Sequence, residues 1–253
     1  MSSAPLSSAA ITGSETAPAP WLYDTIDATW PAARMIHDGP WTLRQGLGGG
    51  SRVSAASANG PVTEADIDRA EEAMRAMEQK QLFQVRPGDA ALDALLEARG
   101  YQVMDPVIAY ACPVEMLTDV PVPRVTVLPV WEPLAIMREI WASGGIGPAR
   151  LAVMERAQGP KTGLLARYND KPGGAAFVAM DQGVAMLHAL EILPHQRQQG
   201  LAKWMMRGAA FWAAANGGTI LSVVCTRAND GANALYSSLG MSVVGAYHYR
   251  ILQ

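Results

Sequence analysis

Short strand-like runs alternate along this chain with stretches whose apolar residues fall at helical spacing, the pattern of packed α/β units. In the first half, helical spacing over Tyr23–Ala33 is followed by strand-like Trp41–Gln45 and Arg52–Ala56. The cluster Gly46-Leu47-Gly48-Gly49-Gly50 between those two runs predicts a hairpin turn. It does not open a helix, so it is a poor dinucleotide-binding fingerprint. Thr63 followed by Asp66 has the spacing of a capping box, predicting a helix near Glu64–Gln79. A strand at Gln81–Val85, a helix at Ala90–Ala98 stopped by Gly100, and a strand at Gln102–Cys112 complete this half.

The second half begins near Arg124, with a strand-like Val125–Leu128. Helical spacing over Leu134–Ala142 and Arg150–Ala157 is separated by the glycine-rich Ser143–Pro148. Thr162–Tyr168 and Ala175–Met180 predict a hairpin, and Val184–Leu193 a third strand. A helix over Leu201–Asn216, a strand at Thr219–Cys225, a short helix at Ala232–Leu239 and a strand at Met241–Ile251 follow. Trp204, Met205, Phe211 and Trp212 on the long helix read as core. The expected class is α/β (α+β), with a mixed central sheet flanked by helices. The expected divisions are a mobile leader at 1–20, a first unit at 21–114, a linker or crossing strand at 115–123, and a second unit at 124–253.

Composition narrows the function classes. Of 253 residues, 49% are hydrophobic and 17% charged, enough to build a substantial core. The net charge of −3 gives no basic footprint for nucleic acid. No apolar run approaches the roughly 20 residues of a membrane-spanning helix. The leader lacks the basic and apolar regions of a signal peptide. Cys112 and Cys225, in strand-like contexts, favour reduced thiols in a cytoplasmic protein. No metal is expected.

One segment carries chemistry of its own. The strand Val184–Leu193 passes through Pro194-His195-Gln196 into Arg197-Gln198-Gln199-Gly200-Leu201-Ala202 and directly into a helix. Amides at a helix start lack intrahelical partners and the helix dipole favours an anion there. The small Gly200 and Ala202 allow close approach, so the segment predicts a pyrophosphate site built of backbone amides. His195 is expected to be exposed.

Arg197, Gly200 and Ala202, with Pro194 three residues before, match the pattern [RQ]-x-x-G-x-[GA]. Asn229, Ala232, Leu235 and Tyr236, then Gly240-Met241, match N-x-x-A-x-x-L-Y followed by G-F, with Met in place of Phe. Together these resemble the GNAT N-acetyltransferase superfamily over roughly Val125–Leu252. The resemblance implies the GNAT acyl-CoA fold and transfer of an acetyl group from acetyl-CoA, as cosubstrate, to a primary amine by direct attack in a ternary complex. It implies that strands Val184–Leu193 and Thr219–Cys225 are parallel and splay apart. The pantetheine arm would lie in that gap near Glu191, Ile192 and Leu193, with the Ile192 or Leu193 N–H polarising the thioester carbonyl. CoA contacts would come from Ile192, Leu193, Arg197, Gln198, Gln199, Gly200, Leu201, Ala202, Asn229 and Ala232.

In the family position Tyr236 would be the acid that protonates the leaving thiol. The string Leu187-His188-Ala189-Leu190 resembles the arylalkylamine acetyltransferases, where a histidine here helps deprotonate the amine. Glu191 competes for that role, and a β-bulge would put both side chains on one face. The loop with Gly144, Gly145 and Gly147 would border the acceptor site, and Trp131 and Trp141 are candidates for its wall or for core. The first unit resembles the leading domain of tandem GNAT proteins but lacks both motifs, so it is a degenerate copy not expected to bind CoA. The expected partners are a small-molecule amine or peptide, with a homodimer as a compatible assembly. The competing function is a non-catalytic acyl-CoA-binding or interaction module.

Overall fold

A computed structural model describes residues 17–252. The first half supplies α1 (Leu22–Thr29), β1 (Arg34–Asp38), β2 (Trp41–Gln45), β3 (Ala56–Ala58), α2 (Glu64–Ala76), β4 (Leu82–Val85), α3 (Ala90–Ala98) and β5 (Gln102–Pro113). After a one-turn helix, α4 (Glu115–Thr118), come β6 (Val127–Val130), α5 (Ala135–Ser143), α6 (Pro148–Arg156), β7 (Lys161–Tyr168) and β8 (Lys171–Asp181). The chain closes with β9 (Val184–Ile192), α7 (Leu201–Ala215), β10 (Ile220–Thr226), α8 (Asp230–Ser238) and β11 (Ser242–Ile251).

Among the described residues eleven strands form one mixed sheet, in the order β1-β2-β3-β4-β11-β5-β10-β9-β8-β7-β6. The two halves of the chain interleave at the centre. β5 leaves the first half to pair with β10, from Ile220↔Pro113 to Thr226↔Val107. β11, the last strand, lies between β5 and β4 and pairs with both. The chain boundary near 115–123 is therefore not a boundary in the sheet. Within that stretch Glu115–Thr118 forms helix α4 rather than a crossing strand, because Leu117 turns into the core beneath α7.

Three local differences from the sequence expectation have identifiable causes. The helix expected over Tyr23–Ala33 stops at Thr29, and Arg34–Asp38, to which the pattern assigned no element, is a strand paired to β2, closed by a turn in which Gly39 takes φ +56°. Arg52–Ala56 is not one strand. Ser51–Val53 makes a tight helical turn that carries Val53 into a core cluster with Trp30, Trp141 and Val153, and the strand starts at Ala56. Residues 1–16 of the expected mobile leader lie outside the described residues. Its last part is fixed, with the Ala19 amide donating to the Val244 carbonyl of β11 at 2.8 Å.

The capping box does form: Thr63 Oγ1 accepts from the Asp66 amide at 3.3 Å, and the Asp66 carboxylate accepts from the Thr63 amide at 2.9 Å. On one face of the sheet, α7 buries Met205, Met206, Ala209, Ala210 and Ala213 against β7–β10. On the other, α1, α5 and α6 bury Trp30, Met137, Trp141 and Val153 against Ala175, Phe177 and Ala179 of β8. Both layers anchor β9, the strand on which the site is built. Trp141 is core, and its indole N–H donates to the Ala189 carbonyl of β9 at 2.8 Å. Trp131 is partly exposed, with Lys161 over its ring. Among the described residues no helix is long and apolar enough to cross a membrane.

Candidate active site

β9 and β10 are parallel neighbours, but their pairing runs only from Val184↔Ile220 to Leu187↔Val223. Both strands continue, to Ile192 and Thr226, without pairing to each other. The sheet is thus split at its centre. Into the split opens a cavity of about 720 Å³, lined from β9 by residues 188–192, from β10 by residues 224–226, and by Arg197, Ala202, Asn229, Ala232, Leu235 and Tyr236.

A β-bulge sets which side chains of β9 meet. Phe177 pairs with His188 and Ala175 with Glu191, so one residue of β8 faces two of β9, and Ala189 takes φ +50°. Positions 188 and 191 therefore share a face although they are three residues apart. The Leu193 amide donates to the Gly173 carbonyl at 2.9 Å. Its N–H is thus committed to β8 and not free for a ligand, which removes one of the two amides expected to polarise a carbonyl. By the alternation of an antiparallel ladder, the Ile192 N–H points away from β8, into the split.

At the end of β9 the chain makes a helical turn at Pro194–Gln196, which leaves His195 exposed. Gln198 and Gly200 then take positive φ, +60° and +77°. Gly200 is the N-cap residue of α7, and among the described residues no atom outside its own stretch of chain lies within 4 Å of where a Cβ would stand. The Trp204 amide closes the first helical bond to the Gly200 carbonyl at 3.2 Å. The amides of Leu201, Ala202 and Lys203 precede that bond, so they have no intrahelical acceptor, and among the described residues no side chain caps them. Alternating backbone handedness and a helix start together make an anion cradle. The Leu201 side chain is buried in the core beneath, and Gln198 and Gln199 form the turn beside the cavity. Arg197 folds back, donating to the Ile192 carbonyl at 3.1 Å and pairing with Glu191 at 3.3 Å.

The opposite wall comes from α8. Asn229 is its N-cap residue and accepts from the Ala232 amide at 3.0 Å, so the motif asparagine is engaged in starting the helix. Tyr236 is buried, with its ring 5.5 Å from that of Tyr110. Burial, helped by neighbouring Cys225 and Tyr110, pushes its phenol well above the ordinary value of 10, so it stays protonated. Tyr110 and Cys225 both donate to Asn233 Oδ1, at 2.9 and 3.4 Å.

His188 is enclosed on every side. Arg52 donates to its Nδ1 at 3.0 Å. A guanidinium can only donate, so Nε2 carries the proton and donates to Thr29 Oγ1 at 2.9 Å. The Thr29 hydroxyl passes its own proton to the Thr25 carbonyl at 2.6 Å. The ring lies 5.0 Å from that of Trp30 and 6.2 Å from that of Phe177. Burial, reinforced by Arg52, holds its pKa well below 6.5.

That shift predicts a pH effect on stability. The unfolded histidine takes up a proton below about 6.5 and the folded one does not, so stability is full above that value and falls as pH drops toward the folded pKa. The expected slope is up to about 1.4 kcal/mol per pH unit. Urea midpoints between pH 5 and 7.5 would show it, and the slope should be lost in His188→Gln. A wild-type stability flat across that range would contradict a neutral His188.

Glu191 is partly buried, with its carboxylate against Gly144 in the α5–α6 loop, where a Cβ would come within 2.5 Å of Oε2. Thr29, Trp30, Arg52, Tyr247 and Tyr249 were not singled out from sequence as site residues. They arrive from the end of α1, the turn Ser51–Val53 and β11, segments whose local pattern carries no sign of that destination. Among the described residues no group of three or more His, Cys, Asp or Glu side chains could hold a metal ion.

Residues 134–241 match the family described as Acetyltransferase (GNAT) family. Among curated proteins no relative matches the chain. Solved structures share its fold at low identity. A GCN5-related N-acetyltransferase from Kribbella flavida is 18% identical with a TM-score of 0.64, covering 91% of this chain and 93% of that one. A conserved protein of unknown function from Staphylococcus epidermidis is 14% identical with a TM-score of 0.66, covering 88% and 95%. A tandem GNAT protein from the clavulanic acid biosynthesis pathway is 13% identical with a TM-score of 0.60, covering 96% and 91%. Residues 134–241 are a domain of the GNAT acetyltransferase family, set in a chain with the fold of a tandem GNAT protein.

Proposed function

We propose that this chain transfers an acetyl group from acetyl-CoA to a primary amine by direct attack in a ternary complex. The observation that carries the reading is the split between β9 and β10, with an amide cradle at its mouth and Tyr236 and Glu191 on its walls. CoA supplies the activated thioester. The amides at the start of α7 hold its pyrophosphate, and Arg197, beside them and paired to Glu191, adds charge. The free edge of β9 pairs with the pantetheine amides, and the Ile192 N–H polarises the carbonyl under attack. Tyr236 gives its proton to the departing sulfur.

Glu191 is the better placed base. Both nitrogens of His188 are committed, to Thr29 and Arg52, whereas among the described residues Glu191 pairs only with Arg197. His188 acts as a positioning residue that ties α1 and the glycine-rich loop to β9. The first half of the chain binds no CoA: β3 enters α2 through Asn59-Gly60-Pro61-Val62, and its N-cap is already closed by the Thr63–Asp66 box. It serves as the acceptor-side wall.

The direct test measures acetyl-CoA binding by calorimetry and thiol release across a panel of amines and peptides. Binding with amine-dependent thiol release is expected. Tight binding with no release on any acceptor would leave a non-catalytic acyl-CoA-binding module instead.

A further inference from the structure

The cavity continues past the thioester split to a wall supplied by the first half of the chain, α6 and β11, lined by Gly50, Arg52, Arg150 and Tyr247. Arg52 is half-buried there, on the helical turn Ser51–Val53. Its contacts are neutral: one N–H goes to His188 Nδ1, and the guanidinium carbon lies 5.2 Å from the centre of the Trp30 ring. Among the described residues it forms no ion pair. A guanidinium has five N–H donors in a planar fork, so most of that fork is unspent. Arg150 converges on the same turn, since a Cβ on Gly50 would stand 3.4 Å from its guanidinium, and it too has no acidic partner among the described residues. The acid on this wall is Asp105. With Arg197 and Glu191 paired to each other, the acceptor wall carries two cations and one anion, opposite in sign to the chain's net charge of −3.

A guanidinium that lines a cavity with no acid paired to it among the described residues presents its fork to an anion that a ligand would bring. Resting on the acetyl-transfer reading, we infer that the acceptor is an amine bearing a carboxylate or a phosphate monoester, and that Arg52, assisted by Arg150, binds this acidic group. The fork offers two parallel N–H donors to the anion, the geometry that carboxylates and phosphates share. His188 fixes the guanidinium from behind, so the arginine is oriented before the acceptor arrives. A polycationic acceptor would meet Arg52 and Arg150 with like charge and is disfavoured.

The test compares matched acceptors with acetyl-CoA: β-alanine against β-alaninamide, γ-aminobutyrate against its amide, and O-phosphoethanolamine against ethanolamine. At least one acidic member should exceed its neutral partner by about tenfold or more in kcat/KM. Arg52→Gln should erase that preference, raising the acceptor KM by about 10- to 100-fold with little change in the acetyl-CoA KM, the size of one charge-assisted pair. Arg52→Lys should keep part of it. Equal rates for acidic and neutral partners, with Arg52→Gln lowering both alike, would overturn the inference and leave acetyl transfer standing. Calorimetry with N-acetyl-γ-aminobutyrate needs no turnover: binding lost in Arg52→Gln supports the anion site even if no amine is acetylated, the outcome that would sink the transfer reading alone.

Discussion

Replacing Tyr236 with phenylalanine should lower kcat by about 100- to 1000-fold while leaving acetyl-CoA affinity within about twofold. The change removes one oxygen. The ring keeps its place beside Tyr110 in the core, and α8 keeps its Asn229 cap, so the wall of the cavity stays intact. The missing function is a proton for the leaving sulfur. A phenol can supply it because burial holds Tyr236 in its neutral form. Without it a thiolate must depart from a poorly solvated cavity, which is where the rate is lost. The assignment has a second readout. A thioester with a more acidic thiol needs less help, so the defect of Tyr236→Phe should shrink with an aryl thioester donor. An unchanged kcat, or an equal defect with both donors, would remove Tyr236 from the acid role.

The parts of the site that could be read from sequence are those whose chemistry is local. The turn before α7 announces itself because strand, small residues and helix start follow one another within a few positions, and its amides need no distant partner. The same holds for α2, whose cap is made by Thr63 and Asp66, neighbours in the chain. The rest depends on non-local placement. Nothing within Gln102–Pro113 or Ser242–Ile251 marks which strand will flank it, so the interleaving of β5 and β11 is invisible in either run alone. Arg34–Asp38 is too polar to suggest a strand and becomes one by pairing with β2. The choice between His188 and Glu191 stays open in the sequence for the same reason. The groups that commit both nitrogens of His188, Thr29 and Arg52, lie in the other half of the chain, 159 and 136 residues away. The charge on the cavity wall at Arg52 and Arg150 likewise comes from segments distant in sequence and does not follow the chain's average.

Glu191 carries the second large expectation. Glu191→Gln should cut kcat by about 100-fold near neutral pH, and the loss should narrow as pH rises. The pH dependence is the decisive part. An amine is mostly ammonium near neutrality, and its lone pair must be freed before attack. A carboxylate on the acceptor side, acting directly or through one water, lowers that barrier only while the amine is protonated. As the solution itself frees the amine, the carboxylate becomes dispensable and the rates of variant and wild type converge. A glutamate that only orders Arg197 would give a defect constant with pH and a raised KM for acetyl-CoA instead, because Arg197 sits beside the cradle. Gly144→Ala tests the same residue by position rather than charge. Its Cβ would stand 2.5 Å from Oε2 and 2.8 Å from Cγ, so the carboxylate must move. A fall of about tenfold in kcat is expected, from geometry alone. Gly144 has ordinary backbone angles (φ −91°), so the substitution displaces the side chain without straining the turn. If both variants keep wild-type kcat across the pH range, the base lies elsewhere, and His188 would have to leave Arg52 to serve.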